Sequence, residues 1–289
     1  MNQRHEPAPG VLYLVGTPIG HLGDLSPRAQ SVLKDVSVIA CEDTRHSGKL
    51  LNQIGVTGLL LSFHKHNTKS RLPKILNLLK EGHSVAVISD AGLPGISDPG
   101  EHLVAIARKT GHEVICIPGP CAAITALVSS GLPSDRFCFE GFLPRKGKAR
   151  KQRLAEIANE KRTLVLYESP HRLLQLLEDL SKLCGHERPL QVARELTKRY
   201  EEQIGPTIGE ALQHFNANNP LGECTIVLGG APASLPEEKS EEYWVTKLDE
   251  LLTTGASASE AARKLSEESG QSKRYLYNLL HRKGSKRCE

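Results

Sequence analysis

The sequence predicts an α/β fold in two halves followed by a small all-helical module, and three observations carry that expectation. From residue 11 to 230 short apolar runs alternate with amphipathic segments, as strands and helices packed in layers do. Midway, Ile117-Pro118-Gly119-Pro120 interrupts the alternation, because two prolines around a glycine cannot continue a strand. After Gly229 the composition changes to Ala231-Pro232-Ala233-Ser234-Leu235-Pro236-Glu237-Glu238-Lys239-Ser240, which has no apolar periodicity, and beyond it the pattern is purely helical. The expected divisions are a flexible arm over 1–10, α/β domains over 11–118 and 119–230, a linker over 231–240, and a helix-turn-helix-like module with a basic tail over 241–289.

Strands are expected at 11–15, 36–41, 59–64, 85–89 and 113–117 in the first half, and at 137–142, 163–168, 190–194, 201–204 and 224–228 in the second. Helices fit between them. At 26–34, Ser26 can cap and Pro27 takes the first helical position. At 171–184, Leu173, Leu174, Leu176, Leu177, Leu180 and Leu183 make one apolar stripe suited to a core. The tail reads as helices at 241–252, 257–269 and 272–283. Ser257 and Glu260 have capping-box spacing, Gly270 supplies a stop and Ser272 a second cap. This is helix-turn-helix geometry, with Lys273, Arg274, Tyr275 and Tyr277 early on the second helix; a small docking or dimerisation module would look the same.

The chain has 289 residues, 39% hydrophobic and 24% charged, the composition of a globular protein with a sizeable core. A net charge of +4 is too small to name a partner, but its distribution is uneven. Arg145, Lys146, Lys148, Arg150, Lys151 and Arg153 crowd nine positions without an acid, and the tail from Gln271 sets Lys273, Arg274, Arg282, Lys283, Lys286 and Arg287 against Glu289 alone. Such blocks suit a polyanion or a solvated face. The seven cysteines contain no C-x-x-C pair and are expected to be buried, reduced thiols of an intracellular protein. No apolar run approaches the eighteen residues needed to span a bilayer, and the first ten residues hold no apolar core of a signal peptide, so a cytoplasmic protein without membrane contact is expected.

Chemistry-bearing residues gather at the expected strand ends. Ser89-Asp90-Ala91-Gly92-Leu93-Pro94-Gly95-Ile96-Ser97-Asp98-Pro99-Gly100 follows an apolar strand, and such a glycine- and proline-shaped loop lies where open α/β sheets bind ligands. Asp90 and Asp98 can accept hydrogen bonds there from a hydroxyl or amine. Gly16-Thr17-Pro18-Ile19-Gly20-His21-Leu22-Gly23 resembles a nucleotide loop but lacks G-K-[ST] and the G-x-G-x-x-G register. Cys41-Glu42-Asp43-Thr44-Arg45-His46 suits either proton handling or an N-capped helix start. His64-Lys65-His66-Asn67 lacks a third ligand in register, and no metal is expected. Tyr167-Glu168-Ser169-Pro170-His171-Arg172 and Ala193-Arg194-Glu195-Leu196-Thr197-Lys198 end strands of the second half in the same way. So many polar strand ends are expected if the two halves share one cleft.

Taken in order, G-T-P-I-G, E-D-T-R, S-D-A-G-x-P-G-I-S-D-P-G, P-G-P-C-A-A-I-T-A-L, G-L-P-S-D-R-F, Y-E-S-P-H-R and A-R-E-L-T-K resemble the ribosomal RNA small subunit methyltransferase I family, of the tetrapyrrole methylase superfamily, over 11–230. The resemblance implies two α/β domains with S-adenosylmethionine in the cleft between them, a homodimer, and in-line methyl transfer to the 2′-oxygen of a cytidine ribose in 16S rRNA; because that atom is buried in folded rRNA, the substrate is either free rRNA or, as the expected partner, the small ribosomal subunit. It implies a cofactor site at Pro18, Ala91, Gly92, Pro94, Gly95, Ile96, Pro118, Ala122, Ala123, Tyr167, Ala193 and Thr225. The chain departs from the family at Leu93, where Thr is more common, and so lacks the hydroxyl that Thr would offer the cofactor. Candidates for handling the 2′-hydroxyl proton are Glu42, Asp43, Arg45, Glu168 and Glu195. Arg145, Lys146, Lys148, Arg150, Lys151, Lys273 and Arg274 are the candidates for holding the RNA backbone. Methylation of a tetrapyrrole, and a DNA-binding regulator that senses a small ligand, are the competing expectations.

Overall fold

The computed structural model describes residues 5–98, 100–232 and 240–285, and the chain divides into two compact units, Met1–Ala231 and Pro232–Glu289. Most of the expected linker, together with Lys286, Arg287 and Cys288, lies outside the described residues.

The first sheet holds β1 (Leu12–Val15), β2 (Val38–Cys41), β3 (Leu59–Ser62), β4 (Val85–Ile88) and β5 (Val114–Ile117) in the order β3-β2-β4-β1-β5, every pair parallel. Helices α1 (Pro27–Asp35), α2 (Thr44–Gln53), α3 (Thr68–Lys80) and α4 (Glu101–Lys109) are the crossovers. β2 and β4 are buried along their whole length, as a parallel sheet covered on both faces requires. One apolar cluster runs through Tyr13, Val15, Ile39 and Ala86, and another through Leu12, Val38, Val85 and Val87, so successive residues serve opposite faces. The chain leaves β1 and passes over β4 to reach β2. That switch brings the loops after β1 and β4 side by side and opens a crevice at their carboxyl ends.

The second sheet is mixed: β6 (Phe137–Phe142), β7 (Thr163–Glu168), β8 (Leu190–Arg194), β9 (Glu202–Ile204) and β10 (Cys224–Leu228) take the order β6-β7-β10-β8-β9, with only β6 and β7 parallel. Helices α6 (Gly147–Asn159), α7 (Pro170–Cys184) and α8 (Ile208–Ala217) contribute Leu154, Leu176 and Phe215 to the core with Leu164, Leu166, Val192 and Ile226. The alternate residues Val165, Ala193 and Val227 face the other way and pack with Ala123, Ala126 and Leu127 of α5 (Ala122–Ser129). Thus α5, which follows the last strand of the first sheet, lies on the second and joins the halves.

Several details differ from the sequence expectation for local reasons. Val36 ends α1 rather than beginning β2, its amide donating to the Val32 carbonyl. β3 stops at Ser62, because Asn67 folds the chain back by accepting from the His64 amide at 2.8 Å. The leucine stripe of α7 is buried at Leu173, Leu176, Leu177 and Leu180, but Leu183, in the last turn before Gly185, is 51% exposed. Of the cysteines, Cys41 and Cys224 are buried, Cys121, Cys138 and Cys184 are half-buried, and Cys116 is exposed, so burial is not their common property.

The second unit packs α9 (Glu241–Thr253), α10 (Ala258–Ser269) and α11 (Lys273–Ser285) around Trp244, Leu248, Ala261, Ala262, Leu265, Leu276 and Leu279. Ser257 and Glu260 form the reciprocal capping box, and Gly270 ends α10 three residues before α11 begins.

Candidate active site

The two sheets meet around a cavity of about 400 Å³, within the range of small-molecule sites. Its first wall is the loop after β4. Thr17, wholly buried after β1, donates its amide to the Gly92 carbonyl at 2.9 Å, and Ser89 Oγ donates to the same oxygen at 3.1 Å. Gly92 has φ +83, and a Cβ there would come within 3.1 Å of Ile19 and 3.2 Å of the Pro120 carbonyl. Below it the loops after β1 and β5 touch: a Cβ on Gly16 would lie 2.7 Å from the Gly119 Cα. The loop continues through Ser97, a non-glycine residue held at φ 63, into Asp98 at the cavity.

The second wall is set by strand register. Thr225 pairs directly with Tyr167 on one side and Ala193 on the other, and direct partners in antiparallel strands put their side chains on one face. Phe142 is the parallel partner of Tyr167, and their rings lie 5.6 Å apart. The Tyr167 hydroxyl reaches α5 and accepts from the Ala123 amide. Burial pushes the Tyr167 phenol well above its usual range and the Cys224 thiol up to about 11, so both are neutral near pH 7.

Acids border this space. Burial, reinforced by Glu42, pushes the Asp98 carboxyl from 3.8 to about 6. Burial and then Asp90 raise Glu42. Glu168 is 2% exposed at the cavity, with Oε1 accepting from the Ser169 amide at 2.8 Å. Arg172 lies 3.0 Å from Oε2 but donates to the Leu143 carbonyl, which leaves Oε2 with a charge partner and no hydrogen bond.

Of the residues expected at a cofactor, Ala91, Gly92, Ile96, Ala122, Tyr167 and Thr225 line this one cavity, as does Leu93. Pro18, Pro94, Gly95, Pro118, Ala123 and Ala193 do not line it; Ala123 and Ala193 sit beneath it in the cluster between α5 and the second sheet. Of the proton-handling candidates only Glu168 lines it, while Glu42 acts on it through Asp98. Asp43 instead caps α2: its side chain accepts from the Arg45 amide at 2.8 Å and pairs with the Arg45 guanidinium at 2.9 Å. Those bonds hold the Asp43 carboxyl down at about 2, so this pair realises the helix-start alternative. Glu195 is tied to Lys198 at 2.9 Å and to the Glu223 amide at 3.0 Å. Arg150 is a correction among the basic residues, being 8% exposed and paired with Asp179 at 2.8 Å inside the second half, whereas Arg145, Lys146, Lys148, Lys151, Lys273 and Arg274 are exposed.

Ser97, Cys121 and Ser169 also line the cavity, within the expected motifs, while Phe142, Glu223 and Cys224 line it without having been singled out. Of the latter three, only Phe142 left a sequence signal, as the last residue of a strand neighbouring the one that ends at Tyr167-Glu168. Among the described residues no group of three or more His, Cys, Asp or Glu could hold a metal ion, and no helix is long and apolar enough to cross a membrane.

The residues fit S-adenosylmethionine. Small Ala91 and Ala122 and the bare Gly92 leave room for a flat base, Ile19, Leu93 and Ile96 give apolar contact, and Asp90 and Asp98 can accept from hydroxyl or ammonium groups.

Two α/β halves with a cavity between them define a tetrapyrrole methylase fold, and the family described as Tetrapyrrole (Corrin/Porphyrin) Methylases matches residues 11–212. In solved structures the fold recurs in uroporphyrin-III C-methyltransferase from Thermus thermophilus (TM-score 0.54, 23% identity, covering 76% of this chain and 94% of that one). A Thermus thermophilus structure of that name complexed with S-adenyl homocysteine (TM-score 0.54, 18% identity) covers 76% of this chain and 96% of its own. These likenesses establish the fold alone. Much nearer in sequence is ribosomal RNA small subunit methyltransferase I of Synechocystis sp., 49% identical over 93% of this chain and 97% of its own length. The protein of that name from Haemophilus influenzae is 45% identical over 93% and 96%. The chain therefore belongs to the ribosomal RNA small subunit methyltransferase I family, within the tetrapyrrole methylases.

Proposed function

We propose that this chain transfers a methyl group from S-adenosylmethionine to small-subunit ribosomal RNA, at the 2′-oxygen of a cytidine ribose in 16S rRNA. The observation that carries this is the cavity itself: motif loops distant in the chain converge on one space of suitable size, in a family whose relatives bear that name.

When bound, S-adenosylmethionine supplies a methyl carbon made electrophilic by the sulfonium. The chain's own part is position and proton removal. The Gly92 loop and the Tyr167–Thr225 row would hold the donor. Glu168 is the proton acceptor we assign, because it is the one candidate that lines the cavity and its buried Oε2, paired in charge with Arg172, accepts no hydrogen bond. Placement of such a base contributes typically about 10²- to 10⁴-fold. Glu42, beside Asp98, helps to keep that carboxyl protonated.

Phe142, 57% exposed at the cavity's edge, leads directly to Arg145, Lys146, Lys148 and Lys151, which would hold the RNA backbone beside the site. Lys273 and Arg274 on α11 would add a further grip. We further propose a cytoplasmic homodimer that acts on the assembled small subunit.

The test is transfer of labelled methyl to small ribosomal subunits from a strain lacking the enzyme, with nuclease mapping of the product. Label on one cytidine 2′-oxygen is the expected result. Label on a porphyrinoid carbon instead, or none at all, would overturn it.

A further inference from the structure

From Thr44 to Lys80 the chain contains seven Lys and Arg and three His but no Asp or Glu, where its average of 33 acids in 289 residues would place about four. The fold gathers part of this charge at one edge. β2 and β3 are neighbours, so the start of α2 and the turn after β3 emerge together at the carboxyl end of the first sheet, the end that holds the cavity. His46, Lys49, Lys65, His66 and Lys69 are all exposed there. Arg45 is taken by Asp43, and Lys80 lies at the far end of α3, roughly 18 Å away by helical rise.

The turn that carries Lys65 and His66 is firmly built. Asn67 accepts from the His64 amide and donates to the Ser62 carbonyl at 3.2 Å, and Thr68 Oγ1 donates to the His64 carbonyl at 3.0 Å. Such pinning spends conformational freedom in advance and leaves less to lose on binding. Among the described residues no ion pair engages Lys49, Lys65 or Lys69. The edge is continuous with the cavity: the Asp43 amide donates to Asp90, Glu42 acts on Asp98, and His64 acts on Glu42.

We infer that this edge, formed by the start of α2, the His64–Asn67 turn and the start of α3, is a second RNA-backbone surface, gripping phosphates at the carboxyl end of the first sheet, in addition to the Arg145–Lys151 block of the second half. It rests on the RNA reading above and specifies how the target strand is held. Clustered cations on a segment that itself carries no acid, with Asp43 beside them already paired to Arg45, match a phosphate chain, whose charges repeat along a line, better than a protein partner with scattered carboxylates. The sequence motifs did not flag it because its cations are spread over two helices and a turn and form a patch only after β2 and β3 pair.

The test uses the full chain with Lys65→Glu/Lys69→Glu, and Lys65→Arg/Lys69→Arg as the conservative control. Binding to bare small-subunit rRNA is measured across a salt series, and S-adenosylmethionine affinity by calorimetry. Each phosphate contact contributes about 0.7 to 0.9 to the slope of log affinity against log salt. The charge-reversed variant is expected to lose about tenfold or more in RNA affinity and about 1.5 in slope, with donor affinity unchanged, and the arginine variant to keep both. On subunits KM should rise with kcat intact. If the wild type binds rRNA and the reversed variant matches it in affinity and slope, the surface is refuted while the functional reading stands. If the variant loses binding to assembled subunits but not to bare rRNA, the edge meets a subunit protein and the RNA assignment falls. If the wild type binds neither bare rRNA nor assembled subunits, both fall together; if it binds subunits alone, an unchanged KM of the reversed variant on subunits refutes the surface while the functional reading stands.

Discussion

The Ala123 amide donates to the Tyr167 hydroxyl at 3.1 Å, tying the first turn of α5 to the end of β7. One bond thus joins the segment leaving the first sheet to the strand that forms the second cavity wall. Tyr167→Phe keeps the ring contacts with Phe139 and Phe142 and leaves the half-buried amide without that partner, which costs about 1 to 3 kcal/mol. Thermal melting should show lower stability, and calorimetry a several-fold weaker affinity for S-adenosylmethionine, because the wall and the helix start lose their shared register.

Glu168→Gln preserves the shape of the side chain and removes its proton-accepting charge. We expect kcat to fall about 10²-fold or more with little change in donor affinity. Single-turnover methyl transfer with matched calorimetry checks this. A fall in donor affinity equal to the fall in rate would mean that Glu168 merely shapes the wall.

Asp98 gives a pH dependence of definite sign. Its carboxyl is raised from 3.8 to about 6, so the folded chain holds that proton more tightly than the unfolded one. The contribution favours folding below about pH 4 and is lost as pH rises through about 6. Asp98→Asn should therefore be the more stable protein at pH 7.5, by roughly 1 kcal/mol once solvent screening is allowed for, and should lose that advantage at pH 4. Denaturation midpoints at the two pH values decide it.

Arg150 and its neighbours on α6 should separate cleanly. Arg150→Ala strands Asp179 and should cost about 2 to 4 kcal/mol in unfolding experiments, without altering the salt slope of RNA binding in the fraction that stays folded. Lys148→Ala/Lys151→Ala should leave stability nearly unchanged and reduce that slope by about 1.5.

The terminal helices have their own core, so ending the chain before Ser240 removes no residue from either α/β cluster. The shortened protein should bind S-adenosylmethionine as before and rRNA more weakly. Unchanged turnover on subunits would exclude an anchoring role for Lys273 and Arg274.

The fold was legible where local pattern and tertiary structure agree. Val38–Cys41 and Val85–Ile88 are short, uniformly apolar runs bounded by polar residues, and β7, β8 and β10 alternate between two packed faces. Ser257 and Glu260 carry their cap within four residues, so no distant partner was needed. The Ala91–Ile96 loop announced itself because a chain shaped by glycine and proline around a ligand is unlike an ordinary connection. What stayed hidden depended on partners far along the chain. Arg150 looked like one more surface cation because its carboxylate, Asp179, is 29 residues away. Cys224 reads as one more core thiol until β10 pairs with β7 and brings it to the cavity. Asp43 and Arg45 looked like chemistry because a helix cap and a proton relay use the same residue types.

The cavity takes one wall from the loops after β1 and β4 and the other from β7 and β10. Neither half alone therefore contains a binding site, and a ligand that occupies the space favours only the state in which both are folded and apposed. Its stabilisation grows as RT ln(1 + [L]/Kd) and is felt by the two cores together. Saturating donor should merge any separate melting of the halves into a single transition, so the supply of methyl donor also governs how long the chain survives unfolding and proteolysis.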